Sequence, residues 1–159
     1  MATIRLVPSA YTLSSTSYLQ ISNASNMYAN TDSTSYAQIT HNRNRTNAYY
    51  LYVHGFNFSS VPSDAIVSSF TVKIKGVSSG LSTTSAYTVS LYNSTTAIAN
   101  TSGGAVPNSV TTLTISTGSL TWDNIKNYGN NFRIRVPLRR SSQNTSGYVR
   151  IYGAEIEVN

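Results

Sequence analysis

Histidines and acids are the first candidates for chemistry in this chain, because they supply the bases and proton donors of most hydrolases. Nucleophilic catalysis requires a nucleophile beside a base that a third group orients. The only imidazoles belong to His41, in a polar stretch, and His54, in an aromatic stretch. Neither lies near a Gly-x-Ser-x-Gly turn, so we predict that both are structural or surface histidines.

The acidic residues do not form a recognisable catalytic pair. A glycosidase needs two carboxylates at a set separation. The acids, each in a context that predicts a structural role, are Asp32, Asp64, Asp123, Glu155 and Glu157. The chain has no cysteine, no His/Asp/Glu spacing typical of a metal site and no phosphate-binding loop. We therefore predict no catalytic residue, no metal, no cofactor and a protein that is not an enzyme.

Tyrosine and arginine are the residue types that favour binding. They are enriched in protein interfaces, and twelve tyrosines stand in this chain. The predicted interface residues, from an aromatic strand and an arginine-bearing strand, are Tyr49, Tyr50, Tyr52, Arg133, Arg135, Arg139 and Arg140. Nucleic-acid binding is an alternative, since aromatic rings stack on bases and Arg43 and Arg45 share a loop. No nucleic-acid module matches, so we favour protein contacts.

The composition predicts one folded domain over residues 1–159. Ser, Thr and Asn make up 62 of 159 residues, which would fit disorder if Val, Ile, Tyr, Phe and Leu did not recur at strand spacing. Without cysteine, no disulfide can hold the fold. The net charge of +6 serves solubility or attracts a polyanion. No signal peptide and no membrane-spanning apolar run is visible, which predicts synthesis in a cytoplasm and no membrane partner.

Alternation of apolar and polar residues dominates the chain and predicts strands. In residues 70–75 and 132–138 every second side chain is apolar, while Lys73, Lys75, Arg133 and Arg135 point the other way. About eight to ten such strands with short turns are typical of sandwiches and barrels. We predict an all-β, antiparallel β-sandwich, jelly-roll-like, with one short helical turn near residues 121–128. Thr121 is its predicted N-cap and Gly129 its C-terminal glycine.

The last strand contains a conflict of phase. Val149 and Ile151 share one parity, whereas Ile156 and Val158 share the other. Since a one-residue slip turns side chains to the opposite face, we predict a β-bulge near Tyr152-Gly153. Glu155 and Glu157 would then face solvent.

Four segments resemble small β-sandwich proteins of tailed bacteriophages. Residues 56–75 read FNFSSVPSDAIVSSFTVKIK, a Trp-Asp-x-Ile turn begins at Trp122, an alternating strand runs from Phe132 to Val136, and Tyr-Gly-Ala-Glu-Ile-Glu-Val occupies residues 152–158. Such proteins are head decoration proteins, head fibres, or tail and receptor-binding modules.

The resemblance implies a non-enzymatic virion protein made in the host bacterial cytoplasm. It would be displayed on the particle surface and dock on other capsid or tail proteins. Self-association is expected, with a trimer by analogy. The alternative is a carbohydrate-binding module that contacts bacterial surface glycans, because Tyr and Trp rings also stack on sugars.

Overall fold

The computed structural model describes residues 3–42, 46–143 and 146–159. Arg43 and Arg45 therefore lie outside the described residues. The strands are β1 Ile4–Leu6, β2 Ala10–Leu13, β3 Leu19–Ser22, β4 Ala37–His41, β5 Tyr49–His54, β6 Phe70–Ser79, β7 Ser90–Asn93, β8 Thr96–Ala97, β9 Thr111–Ile115, β10 Phe132–Leu138 and β11 Gly147–Val158. The helix α1 spans Trp122–Tyr128, and 3-10 turns span Ala24–Met27, Phe58–Ser60 and Gly129–Asn131.

The strands form two antiparallel sheets with jelly-roll connectivity. Sheet A has the order β3-β4-β11-β6-β9, with β1 paired to the end of β11, and sheet B has the order β2-β5-β10-β7-β8. From β4 to β11 the chain changes sheet at every connection except the β7–β8 hairpin. Eight strands so arranged in two sheets are a jelly roll. The predicted antiparallel, jelly-roll-like sandwich is confirmed.

The core lies between the sheets and follows the predicted alternation. The inward side chains of β10 are all at most 1% exposed, as are Val72 and Ile74 of β6. Lys73, Lys75, Arg133 and Arg135 lie on the outer faces as expected. Each sheet consequently has one apolar face in the core and one outer face that carries polar and charged side chains.

The bulge in β11 is confirmed, but one consequence drawn from it is wrong. The register against β6 shifts between Ile151 and Gly153, so that residues of both parities point into the core. Glu155 does not face solvent: it is fully buried. Residues 29–32 cross the outer face of sheet A at the bulge, where Ala154 N–H donates to Ala29 O at 2.9 Å.

Gly153 is required for this crossing rather than for the bulge geometry. Its φ is not positive, so the backbone alone would accept another residue. A Cβ at this position would, however, collide with the carbonyl oxygens of Ala29 and Asn30. The glycine therefore permits a close backbone approach.

The predicted helical turn is confirmed together with both of its ends. Thr121 Oγ1 accepts from Asn124 N–H at 3.1 Å, and Asn124 Oδ1 accepts from Thr121 N–H at 3.0 Å, which forms a capping box. Gly129 closes the helix at φ 55°. The Trp122 ring packs 5.9 Å from the rings of Phe58 and Phe70, so it anchors the helix to the sandwich. Within the described parts of the chain, no helix is long and apolar enough to cross a bilayer.

Candidate functional site

Five side chains of three neighbouring strands meet on the outer face of sheet B. Tyr50 and Tyr52 come from β5, Arg133 and Arg135 from β10, and Tyr92 from β7. In the register, Arg135 lies opposite Tyr52 and Arg133 lies opposite Tyr92. Because side chains alternate along each strand, these five side chains point away from the core, whereas the residues before and after them point into it. We call this set the Tyr/Arg face.

The arginines of the Tyr/Arg face are held by aromatic rings. The guanidinium carbon of Arg135 lies 4.2 Å from the centre of the Tyr50 ring and 4.4 Å from that of Tyr92. Arg133 lies 5.7 Å from the Tyr52 ring, which meets Tyr92 edge-on at 5.8 Å. Such cation–π contacts orient the planar guanidinium. Burial raises the pKa of the Tyr52 hydroxyl, and the nearby Arg135 charge partly opposes that rise.

Within the part of the chain that the structure describes, no carboxylate forms an ion pair with these arginines. Their Nε atoms are buried and have no hydrogen-bond partner within the described residues. The acids of the chain lie elsewhere: Asp32 and Glu155 bind Arg5, Glu157 binds Lys73, Asp123 binds Lys126, and Asp64 lies in an exposed turn. The Tyr/Arg face therefore carries two positive charges without an ion-pair partner in residues 3–42, 46–143 and 146–159.

His54, at the edge of this face, is a structural residue as predicted. It is 6% exposed, and its ring nitrogens lie 2.9 Å from Thr12 Oγ1 and 2.9 Å from Asn130 Oδ1. Both nitrogens are thus engaged, which ties β2 and the turn after α1 to β5. In the described stretches no group of three or more His, Asp or Glu side chains could hold a metal ion.

Three predicted interface residues are not brought to the Tyr/Arg face. Tyr49 points to the opposite side of β5 and stacks on Tyr18 at 4.8 Å between ring centres. Arg139 donates from Nε to Thr46 O at 2.7 Å and lies 5.2 Å from the Tyr87 ring. Arg140 is 3% exposed and binds the carbonyl of Gln143, so it is a buried structural cation.

His41 lies in a strand, not in the polar loop that the sequence indicates. It is the last residue of β4 and is fully buried. One ring nitrogen lies 3.0 Å from Asn47 O, and the Tyr49 ring is 5.3 Å away. Burial lowers the pKa of the His41 imidazole, with the Arg140 charge acting in the same direction and the Asn47 contact opposing it.

Stability should consequently fall as the pH drops below about 6.5, the ordinary pKa of histidine. The unfolded chain then binds a proton at His41, whereas the folded chain stays neutral until its lower pKa is reached. Urea unfolding between pH 7.5 and pH 5 measures this loss, and His41→Gln should remove the part that His41 contributes. Equal pH dependence in both proteins would show that His41 is not the titrating group. The Asp32 carboxyl, whose pKa Arg5 lowers through a hydrogen bond, contributes only at lower pH.

A cleft of about 470 Å³ opens on the outer face of sheet A. It runs across β6 and β11 toward the segment before β9. The lining residues, hereafter the Arg150 cleft, are Val77, Ser78, Ser79, Gly80, Asn108, Val110, Tyr148, Arg150 and Tyr152. The Arg150 guanidinium carbon lies 4.6 Å from the Tyr36 ring and 4.9 Å from the Tyr148 ring. This arginine is therefore stacked in the same manner as Arg135 on the other sheet.

A smaller cleft of about 250 Å³ lies beside α1, between Trp122, Phe58 and Pro62. Ile66, which is 87% exposed, stands on the loop that follows this cleft. Lys126 at its edge is engaged by Asp123. The cleft has an apolar wall but fewer polar groups than the Arg150 cleft.

Two residues of the candidate sites, Tyr92 and Tyr36, were not predicted from the sequence. Tyr92 completes the Tyr/Arg face, and Tyr36 completes the stack on Arg150. The alternation Tyr148, Arg150, Tyr152 places three such side chains on one face of β11 and could have indicated the Arg150 cleft. Nothing local could have indicated Tyr92 or Tyr36, because their partners are on other strands.

Comparison with known proteins adds no further constraint. No protein-family model matches the chain, and no curated protein or solved structure matches it either.

Proposed function

We propose that this chain is a non-enzymatic structural protein displayed on the surface of a bacteriophage particle, where it docks on other virion proteins through the Tyr/Arg face. The observation that carries the proposal is the pair Arg133 and Arg135, which make cation–π contacts with tyrosine rings on a sheet face where the described residues place no carboxylate.

The chemistry of the Tyr/Arg face favours binding to a protein. Interfaces are enriched in Tyr and Arg, and buried hot spots use the same residues. Arg135 is already fixed between Tyr50 and Tyr92, so binding would restrict few additional side-chain rotations. A partner carboxylate could accept a bidentate pair of hydrogen bonds from a guanidinium held in this way. The partner surface is therefore expected to present Asp or Glu to this face.

The fold supports the proposal by analogy. Jelly rolls occur in viral capsid proteins and in lectins, and the segments quoted above resemble small virion sandwiches. A fold alone does not fix a function, so the weight rests on the Tyr/Arg face. The two histidines support a non-enzymatic role, because His41 is buried and His54 is bonded through both ring nitrogens.

Self-association is part of the proposal, with a trimer as the expected closed form. Asp64 and Asp123 are exposed carboxylates on the two segments that border the smaller cleft beside α1. A contact between the Asp64/Asp123 surface of one copy and the Tyr/Arg face of the next joins two different surfaces and is therefore heterologous. Heterologous contacts form a closed ring when the rotation that relates neighbouring copies adds up to a full turn. Light scattering should give one oligomeric mass at several concentrations, and a monomeric mass would remove self-association from the proposal.

The location on a particle is tested on gradient-purified phage. An antibody against the purified chain should label intact particles in electron micrographs, and mass spectrometry should find the chain in the particle band. Preincubation of the antibody with the purified chain is the control and should abolish labelling. A chain that stays in the soluble fraction and is missing from the particle band would contradict the virion role.

A second candidate function is a carbohydrate-binding module that contacts bacterial surface glycans. The observation that favours it is the Arg150 cleft, where tyrosine rings, small polar groups and an arginine line one concave site. This cleft and the Tyr/Arg face are on different sheets, so that one molecule can dock with sheet B and present sheet A.

A further inference from the structure

The Arg150 cleft combines three kinds of lining group in a volume suited to a small ligand. About 470 Å³ falls within the usual range for ligand pockets. Tyr148 and Tyr152 offer aromatic surface, Val77 and Val110 offer aliphatic surface, and Ser79, Gly80 and Asn108 bring hydroxyl, backbone and amide groups. A ring with an apolar face and a hydroxylated edge matches this lining better than a flat aromatic compound or an alkyl chain.

Arg150 favours a ligand that carries a negative charge. Its Nε donates to Gln38 Oε1 at 3.1 Å, and its guanidinium is stacked between Tyr36 and Tyr148. The Nη atoms make no hydrogen bond to a described residue. These donors therefore remain open on a guanidinium whose orientation is already set, the arrangement that recognises a carboxylate.

No acid among the described residues forms an ion pair with this arginine. The three carboxylates on or over the outer face of sheet A have other partners: Arg5 binds Asp32 and Glu155, and Lys73 binds Glu157 at 3.1 Å. Lys75 donates to Ser33 O and lies 5.2 Å from the Tyr152 ring, so a second cation stands at the rim. Among the described residues, the charged side chain that lines the cleft is therefore the cation Arg150, in keeping with the net charge of +6.

We propose that the Arg150 cleft binds a carboxylate-bearing sugar, a uronic-acid residue of an acidic polysaccharide. The carboxylate pairs with the Nη donors of Arg150. The sugar ring packs on Tyr148 or Tyr152 and on Val110, and its hydroxyls reach Ser79 and Asn108. This inference rests on the glycan-binding role proposed second and is independent of docking through the Tyr/Arg face.

Isothermal titration with tetragalacturonate tests the inference, with its methyl ester as the matched ligand that keeps the rings and removes the charge. Tetraglutamate provides the same charge without sugar rings. The acid should bind about tenfold or more tightly than either comparison ligand, because a charge-assisted hydrogen bond is lost in the ester and the ring contacts are lost in the peptide.

Variants assign the binding to the cleft. Arg150→Ala should weaken tetragalacturonate binding about tenfold or more, whereas Lys73→Ala, which removes a cation of the same sheet that does not line the cleft, should leave it unchanged. Val110→Asp places a carboxylate at the mouth of the cleft and should also weaken binding about tenfold or more, because it repels the ligand carboxylate. Val110 is 51% exposed, so this change leaves the fold intact and keeps the test valid if Arg150→Ala is unstable.

Each contrary result has a distinct meaning. Equal affinity for acid and ester, with no effect of Arg150→Ala, overturns the inference and leaves a glycan-binding role standing. Tetraglutamate binding as tightly as tetragalacturonate overturns the sugar assignment, since the cleft would then recognise any carboxylate. Absence of binding to all three ligands overturns both this inference and the glycan-binding role.

Discussion

Gly153→Val should lower the free energy of unfolding by about 3 kcal/mol, at the upper end of the cost of overpacking a filled site. The first carbon of the new side chain collides with the carbonyl oxygens of Ala29 and Asn30. Residues 29–32 must then move away from sheet A, and the hydrogen bond from Ala154 N–H to Ala29 O is lost. The cover over Glu155 opens at the same time. Urea unfolding followed by tyrosine and tryptophan fluorescence measures the change.

Two further substitutions separate the close approach from other causes. Gly153→Ala should also be strongly destabilising, because the clash arises at Cβ itself; if only the bulge geometry mattered, alanine would be tolerated at this φ. Thr112→Val places a valine on the exposed outer side of β9 and should change stability by no more than about 0.5 kcal/mol. Unchanged stability in Gly153→Ala would refute the close-approach explanation.

Arg5→Ala should lower the free energy of unfolding more than removal of an exposed surface cation does, because it leaves the fully buried Glu155 carboxylate without its cation. Arg5 Nε lies 3.0 Å from Glu155 Oε2, and the second carboxylate oxygen accepts from Thr31 N–H at 3.1 Å and from the Thr31 hydroxyl. Removing one partner of a buried ion pair is strongly destabilising because an uncompensated buried charge remains, and the partial exposure of Arg5 reduces this effect. Chemical denaturation at pH 7 measures it.

The matched control removes a cation from the neighbouring ion pair on the same sheet. Lys73 and Glu157 are both partly exposed, so that water can solvate Glu157 when Lys73→Ala removes its partner. That variant should lose no more than about 1 kcal/mol. Adding Glu155→Gln to Arg5→Ala should restore part of the lost stability, because no buried charge then remains. Equal costs for Arg5→Ala and Lys73→Ala would contradict the special position of Glu155.

The sandwich and its helix could be predicted because their signals are local. Alternation in residues 70–75 and 132–138 fixes which side chains enter the core, and Thr121 and Gly129 mark the ends of α1. The phase change before Ile156 likewise indicates the bulge. Each of these inferences needs only the period of a strand or the chemistry of a helix end.

The burial of Glu155 could not be predicted in the same way. Alternation places this side chain on the outer face of β11, and that part of the prediction is right. Outer faces are exposed only if nothing crosses them, and the segment that covers Glu155 is 124 positions away in the chain. Gly153 is the sequence signal expected where another backbone crosses a strand, but a glycine in a strand is equally consistent with a bulge.

The candidate site was predicted in part for a related reason. One face of sheet B does carry Tyr50, Tyr52, Arg133 and Arg135. This could be predicted because the alternation of β5 and that of β10 are both visible in the sequence. Tyr49 was included through proximity in the chain although its parity sends it to the other side. Arg140 was a predicted interface residue, but it follows the end of β10 and is buried. Tyr92 required knowledge that β7 pairs with β10, which only the topology provides.

The most direct test of the docking role is the affinity of the purified chain for phage particles that lack it. Wild-type protein should rebind, Arg133→Ala/Arg135→Ala should bind about tenfold or more weakly, and Arg150→Ala should bind like wild type. Thermal melting of all three proteins verifies that each is folded. Undiminished binding of the double variant would contradict the account, because the Tyr/Arg face would then not be the docking surface.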